Sequence, residues 1–377
     1  MKKLSVRLLV AMSPGLARIT SRHVPLGVLL IASVLEKIGI EVEIFDFQLV
    51  ERMTTNYDVK AMAQKILEGP RVVGISVMCD GLPLVAAACE EAKKQAPDKI
   101  IVLGGAGPSF VAVPLMERFP SIDVTVVGEG EITAQELFPL LCNNAPRASL
   151  GGVAGIVYRD GGAVIQTQPR QMITNLDSLP QPAYHLVDVT KYQEVGIHTS
   201  RGCPYYCTFC STSPLWGRKV RYRSPDSVVN EIETLRNRGC NPSDTLFHFS
   251  DDLFTSSLAH VRGICDKMKE RSVEMAWNCL ARVNTINTEM LDLVTSSHCA
   301  GIAVGIESGS DRVLQMIQKG NTVKTSMKAI DILREYPQLL KFFFMWGFPG
   351  ESRIDLLQTT LVISIILERL VPKKTIN

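Results

Sequence analysis

The 377-residue sequence has few aromatic residues (6%), almost no net charge (+2) and no long apolar run. The densest apolar stretch, LVISIIL at 361–367, falls far short of the roughly 18 residues a membrane-crossing helix needs, so no membrane span is expected. A balance so near neutrality offers neither a basic groove for nucleic acid nor a patch for an anionic membrane surface. The opening MKKLSVRLLVAMSPG imitates an export signal, with two lysines and an apolar run. The run is only strand-length and no small-residue cleavage site follows it, so it reads as a first β-strand. Without an export signal, a reducing, cytoplasmic setting is expected, and the ten cysteines are expected to be mostly free thiols.

What is present is an ordinary globular composition, long enough for two domains. Residues 5–142 alternate apolar strands with amphipathic helices. VRLLVAM (6–12), EVEIFDF (41–47), RVVGISVM (71–78), KIIVLGG (99–105) and IDVTVV (122–127) read as strands. Between and after them, 28–39, 58–69, 84–97 and ITAQELFPLLC (132–142) carry helical spacing, with Gly39 and Gly69 as stops. This rhythm predicts an α/β fold with an open, doubly wound, flavodoxin- or Rossmann-like parallel sheet over 1–145. Residues 146–192 break it: GIVYRDGGAVIQ predicts a hairpin turning at Asp160-Gly161, and the proline-containing stretch to Tyr192 reads as an extended linker.

Alternation resumes at EVGIHTS (194–200) and gives five βα units in series to residue 370, the pattern of a partial (β/α) barrel over 193–377. The sequence stops at VPKKTIN, where a sixth strand is expected to start. Either the barrel is short by design or the chain is a truncated product.

Cys79, Cys89, Cys142, Cys240, Cys265, Cys279 and Cys299 stand singly among apolar neighbours and read as buried small hydrophobes. Cys203, Cys207 and Cys210 differ, because TSRGCPYYCTFCSTS (199–213) spaces them C-x3-C-x2-C. A structural zinc closes its shell with four ligands, and neither a second CxxC nor an HxxxH pair exists here to supply the fourth. His198 lies in the preceding strand, out of register with the loop. Three thiolates without a fourth suit an iron–sulfur cube with one iron left open to another ligand.

RGCPYYCTFC resembles the CxxxCxΦC signature of the radical S-adenosylmethionine enzymes, with Phe209 as the aromatic Φ. The resemblance implies that the three cysteines hold a [4Fe-4S] cluster. It also implies that the open iron takes the amino and carboxylate groups of S-adenosylmethionine, and that an electron from the cluster yields a 5′-deoxyadenosyl radical. Later elements match in order. On the resemblance, FSDDLF places Asp251 and Asp252 at the end of the second strand as S-adenosylmethionine contacts, like the family's acidic loop beside the active site; Phe209 packs near the adenine, ARVN offers Arg282 to the cofactor carboxylate, and GIESGSD offers Glu307 and Ser308 to its ribose and amino group. GFPGES (347–352) resembles the family's G-x-P-G-E-T element, with Ser352 in place of Thr.

PLGVLLIASVLEKIGIEVEIFDF (25–47), GISV (74–77), VLGGAGPSF (102–110) and VVGEGE (126–131) resemble the cobalamin-binding domains fused to such barrels, over roughly residues 5–145. On that resemblance Ser76, Gly104 and Gly105 line the pocket for the nucleotide tail, with Gly128 and Glu129 in a neighbouring loop. The D-x-H-x-x-G motif, whose histidine ligates cobalt in other cobalamin proteins, is missing; His23 lies in the right region without the partners. Two alternatives follow: cobalamin bound with its lower face unligated, or a domain that has lost the cofactor. The function implied is cobalamin-dependent methyl transfer to an unactivated carbon of a small-molecule substrate, with an external electron donor such as flavodoxin or ferredoxin. The alternatives are a cyclase or rearrangement enzyme built from the same parts, or a truncated, inactive remnant that acts by binding. No catalytic side chain beyond the cofactor contacts is assigned.

Overall fold

A computed structural model describes residues 3–11, 22–50, 58–241 and 245–370. The expectation of a sixth strand falls on 371–377, which lie outside the described residues. The chain divides into two compact units, Met1–Thr174 with Ser178–Glu194, and Asn175–Asp177 with Val195–Asn377.

In the first unit, strands β1 (Ser5–Val10), β2 (Glu41–Asp46), β3 (Val72–Ser76), β4 (Ile100–Gly104), β5 (Val124–Val126), β6 (Ile156–Asp160) and β7 (Ala163–Gln166) form one sheet in the order β2-β1-β3-β4-β5-β6-β7. The first five pair in parallel and the last two antiparallel. The helices are α1 (Leu26–Lys37), α2 (Val59–Glu68), α3 (Leu82–Gln95), α4 (Ala106–Arg118) and α5 (Glu131–Cys142). Successive strand residues point to opposite faces, so each strand feeds two cores. Val6, Leu8, Ile100 and Val102 meet α1 and α5 on one side. Leu9, Val73, Ile75, Ile101 and Leu103 meet α2, α3 and α4 on the other. Apolar residues on both faces of the central strands are what a doubly wound sheet requires.

Two features differ from the sequence expectation. Helix α4 was not anticipated, because Pro108 and Pro114 mask its pattern; it forms with a kink at Val111. The segment 146–192 is more than a linker. Its hairpin extends the first sheet, and Leu150, Val153, Ile156, Tyr158 and Ala183 enter that unit's core. The Ala183 amide donates to the Leu29 carbonyl (3.1 Å) and the Ser33 hydroxyl to the Gln181 carbonyl (2.6 Å), which docks the segment on α1. Burying these apolar side chains outweighs the extended bias of the prolines.

The second unit continues with β8 (Glu194–Ile197), β9 (Ser200–Arg201), α6 (Thr212–Trp216), β10 (Arg221–Tyr222), α7 (Pro225–Asn237), β11 (Leu246–Phe249), α8 (Leu258–Glu270), β12 (Trp277–Arg282), α9 (Thr288–Ser296), β13 (Cys299–Glu307), α10 (Asp311–Met316), α11 (Val323–Leu333), β14 (Leu339–Phe344) and α12 (Arg353–Leu370). The main sheet runs β14-β13-β12-β11-β8, and β9 with β10 makes a separate antiparallel pair. Helix α7 starts as its sequence dictates: the Ser224 hydroxyl accepts from the Ser227 amide and Pro225 fills the first turn. The sequence reads as a helical stretch from about Asp311 to Tyr336; the structure makes two helices of it, α10 and α11, separated where Gln318 and Gly320 adopt positive φ (52° and 71°). Phe249 and Phe254 stack and Trp277 meets both rings edge-on, all three fully buried. At the β14 end, α12 exposes Ile354, Leu357, Leu361 and Leu367.

Candidate functional site

The three cysteines lie in the loop that follows β8 and β9, at the end of the first strand of the second unit. The β9–β10 pair, with Arg201 opposite Arg221 and Tyr222 opposite Ser200, closes the base of this loop. Gly202 turns the chain with φ +101°, and a Cβ there would meet the Lys219 carbonyl oxygen at 2.9 Å, so both the conformation and the space call for glycine. The Cys203 amide donates to the Gly217 carbonyl (3.3 Å), the Cys210 amide to the Cys207 carbonyl (3.2 Å) and the Thr208 amide to the Ile317 carbonyl (3.0 Å). The Ser213 hydroxyl donates to the Tyr205 carbonyl (3.0 Å). These bonds fix the loop without using any thiol.

All three thiols are free and half-buried, and desolvation pushes that of Cys203 above its ordinary pKa. Among the described residues no three His, Cys, Asp or Glu side chains gather as they do around one metal ion. A cube does not need that convergence, since each thiolate binds a different iron, so a soft all-thiol donor set on one braced loop fits the cluster.

The aspartates after β11 brace the loop. Asp251 is buried and accepts from the Thr199 amide (2.6 Å), the Ser200 amide (2.8 Å) and the Thr199 hydroxyl. His260 Nε2 lies 3.0 Å from that hydroxyl. Asp252 accepts from the Thr212 hydroxyl (2.9 Å) and from the Gly202 amide. Burial raises both carboxyls, that of Asp251 to about 6, against the lowering effect of these donors. The structure thus turns these aspartates toward the loop backbone, where the sequence reading turned them toward S-adenosylmethionine; a buried carboxylate needs donors, and the strand end supplies them.

The sign of the Asp251 shift is testable. Its folded pKa lies above the unfolded value of 3.8, so the stability it contributes is full at low pH and is lost as pH rises from about 4 to 6. An Asp251→Asn chain lacks this titration. The unfolding free energy of the wild type minus that of the variant should fall across that range by up to about 3 kcal/mol. Tryptophan fluorescence reads this unit alone, because Trp216, Trp277 and Trp346 all belong to it. A difference that stays flat with pH contradicts the raised carboxyl.

Arg282, at the end of β12, is 5% exposed. Its Nη1 donates to Cys207 Sγ (3.2 Å) and its guanidinium lies 3.7 Å from the centre of the Tyr205 ring. Glu307, at the end of β13 with φ +70°, pairs with Lys319 at 2.7 Å, and both side chains are buried. Phe209 packs against Phe348 at 5.8 Å between ring centres, next to Val313, Leu314 and Ile317. Ser308 is fully buried; its hydroxyl lies 3.1 Å from that of Thr359 in α12 and accepts from the Ser310 amide. Asp355, at the start of α12, receives Ser310, Ser352 and Arg312 and is held well below the usual carboxylate range, chiefly by the Arg312 guanidinium. So Cys207, Tyr205 and Arg282 come together, as do Glu307 and Lys319, while Asp251 and Ser308 support backbone. Thr199, Lys319 and Asp355 were missed by sequence reasoning, since isolated polar residues in helices and turns carry no spacing signal.

In the first unit, Ser76 ends β3 and Gly104 ends β4, on the carboxyl edge where doubly wound sheets bind ligands. Gly105 follows with φ +101°, and a Cβ there would sit 2.9 Å from the Val77 carbonyl oxygen. The Ser109 hydroxyl donates to the Gly105 carbonyl (2.8 Å) and accepts from the Gly128 amide (3.1 Å), which joins these two turns. Glu129 is buried and accepts from the Ile173 amide (2.7 Å), so its carboxylate serves the 170s segment. His23 Nδ1 lies 3.4 Å from the Glu194 carboxylate. Glycine turns and a small serine leave room for a large ligand to approach the backbone at this edge.

Residues 197–362 match the radical SAM superfamily and residues 12–138 match the B12 binding domain. A protein of Pyrococcus horikoshii described as an uncharacterized methyltransferase is 31% identical over 335 residues, covering 87% of this chain and 70% of that protein. The cytidylyl-2-hydroxyethylphosphonate methyltransferase of Streptomyces wedmorensis is 29% identical, covering 86% and 69%. The radical S-adenosylmethionine methyltransferase TsrM of Kitasatospora setae, solved with cobalamin and a [4Fe-4S] cluster, shares the fold at a TM-score of 0.77 and 19% identity, over 97% of this chain and 70% of that one. Together with the three-thiol loop at the end of the first barrel strand, these matches place the chain in the radical S-adenosylmethionine superfamily, in the group whose barrel follows a B12-binding domain.

Proposed function

We propose that this chain is a cobalamin-dependent radical S-adenosylmethionine methyltransferase acting on an unactivated carbon of a small molecule. The loop of three thiols, braced at both flanks and facing one buried guanidinium, carries this reading. When bound, the cluster supplies the electron that cleaves S-adenosylmethionine, and the corrin carries the methyl group. Cys203, Cys207 and Cys210 hold the cluster. Asp251 and Asp252 fix the loop from behind through Thr199, Ser200, Gly202 and Thr212. Phe209 offers an apolar face for the adenine, and Glu307, oriented by Lys319, offers a carboxylate to the ribose or amino group. In the first unit, Ser76, Gly104, Gly105 and Gly128 shape the wall for the nucleotide tail.

The electron comes from a separate donor, such as a flavodoxin or ferredoxin, in a reducing, cytoplasmic compartment. No helix among the described residues is long and apolar enough to cross a membrane. The methyl-transfer part of the reading is tested by incubating anaerobically reconstituted protein with hydroxocobalamin and passing it through a desalting column. Retained corrin absorbance is the expected result; protein that emerges free of corrin removes the methyltransferase reading.

A further inference from the structure

Arg282 has more hydrogen-bonding capacity than the protein uses. It is 5% exposed, yet only Nη1 finds a side-chain acceptor, the Cys207 sulfur at 3.2 Å, while Nε and Nη2 are buried without a partner. Leaving two guanidinium donors dry and unpaired is costly, and native structures keep such groups where a ligand completes them. The Tyr205 ring at 3.7 Å holds the guanidinium plane, so the cation is stacked and aimed rather than mobile.

From this geometry we infer that Arg282 sets the reduction potential of the cluster through the sulfur of Cys207. This rests on the reading of Cys207 as a cluster ligand. Taking up one electron makes the cluster and its thiolates more negative. A fixed positive charge and an N–H···S bond stabilise that state, which raises the potential. The unpartnered Nε and Nη2 face of the same guanidinium remains for an anionic group at the open iron, so one cation serves both the cluster sulfur and the ligand beside it.

The test is a redox titration of reconstituted protein, followed by the electron paramagnetic resonance signal of the reduced cluster. In Arg282→Gln the ratio of reduced to oxidised cluster at a fixed potential should fall about tenfold, the scale of one charge-assisted hydrogen bond. For a one-electron couple that is a midpoint about 59 mV lower. Arg282→Lys keeps the charge and the stem but not the fork, and should shift the midpoint in the same direction by less. If the glutamine variant does not load iron, the lysine variant carries the test alone. Midpoints equal to wild type in every variant that loads overturn the inference and leave the functional reading standing. Wild-type protein that loads no cluster overturns the functional reading itself.

Discussion

Cys207→Ala should lose the cluster and all cleavage of S-adenosylmethionine while still binding cobalamin. The substitution leaves the loop's shape alone, because the bonds that hold it run through backbone: Thr208 to Ile317 and Cys210 to Cys207. The thiol itself meets Arg282 Nη1. On the proposed assignment its removal would leave two thiolates, too few to hold the cluster. The first unit has its own two cores, built from residues of that unit alone, so corrin retention is expected to be unchanged. Iron analysis and chromatographic detection of 5′-deoxyadenosine check both halves. If cleavage persists in the variant, the triplet is not the ligand set.

The second large effect concerns Lys319. Its ammonium lies 2.7 Å from the Glu307 carboxylate, and the two side chains are only 7% and 8% exposed. Lys319→Met leaves the carboxylate buried without its counter-charge, which should cost about 3–5 kcal/mol of stability in the second unit. A double variant, Lys319→Met with Glu307→Gln, removes the stranded charge and should recover much of that loss. Denaturant unfolding followed by tryptophan fluorescence reads both variants. A single variant as stable as wild type, or a double variant no better than the single, contradicts a tightly coupled pair.

Much of this architecture was legible in the sequence, for identifiable reasons. Buried parallel strands need apolar residues on both faces, so VRLLV and KIIVL announced themselves. The three-cysteine loop was legible because its residues are local: a C-x3-C-x2-C spacing is a statement about one turn of chain. What sequence spacing does not record is direction. Asp251 and Asp252 follow β11 as the pattern has them, but which way the carboxylates face depends on the Thr199, Ser200 and Gly202 amides, which come from a different strand end. Glu307 likewise was found without Lys319, because a buried pair twelve positions apart across a helix has no period. The break between α10 and α11 was missed because Gln318 takes a positive φ that its side chain does not advertise. The packing of 146–192 on the first unit was missed because prolines read as linker, although the apolar residues between them are core.

The central claim is that Cys203, Cys207 and Cys210 hold a cluster that cleaves S-adenosylmethionine. Anaerobic reconstitution with iron and sulfide, followed by reductant and S-adenosylmethionine, tests it most directly. The account predicts an iron–sulfur absorption band and the appearance of 5′-deoxyadenosine. Wild-type protein that gives neither would contradict it.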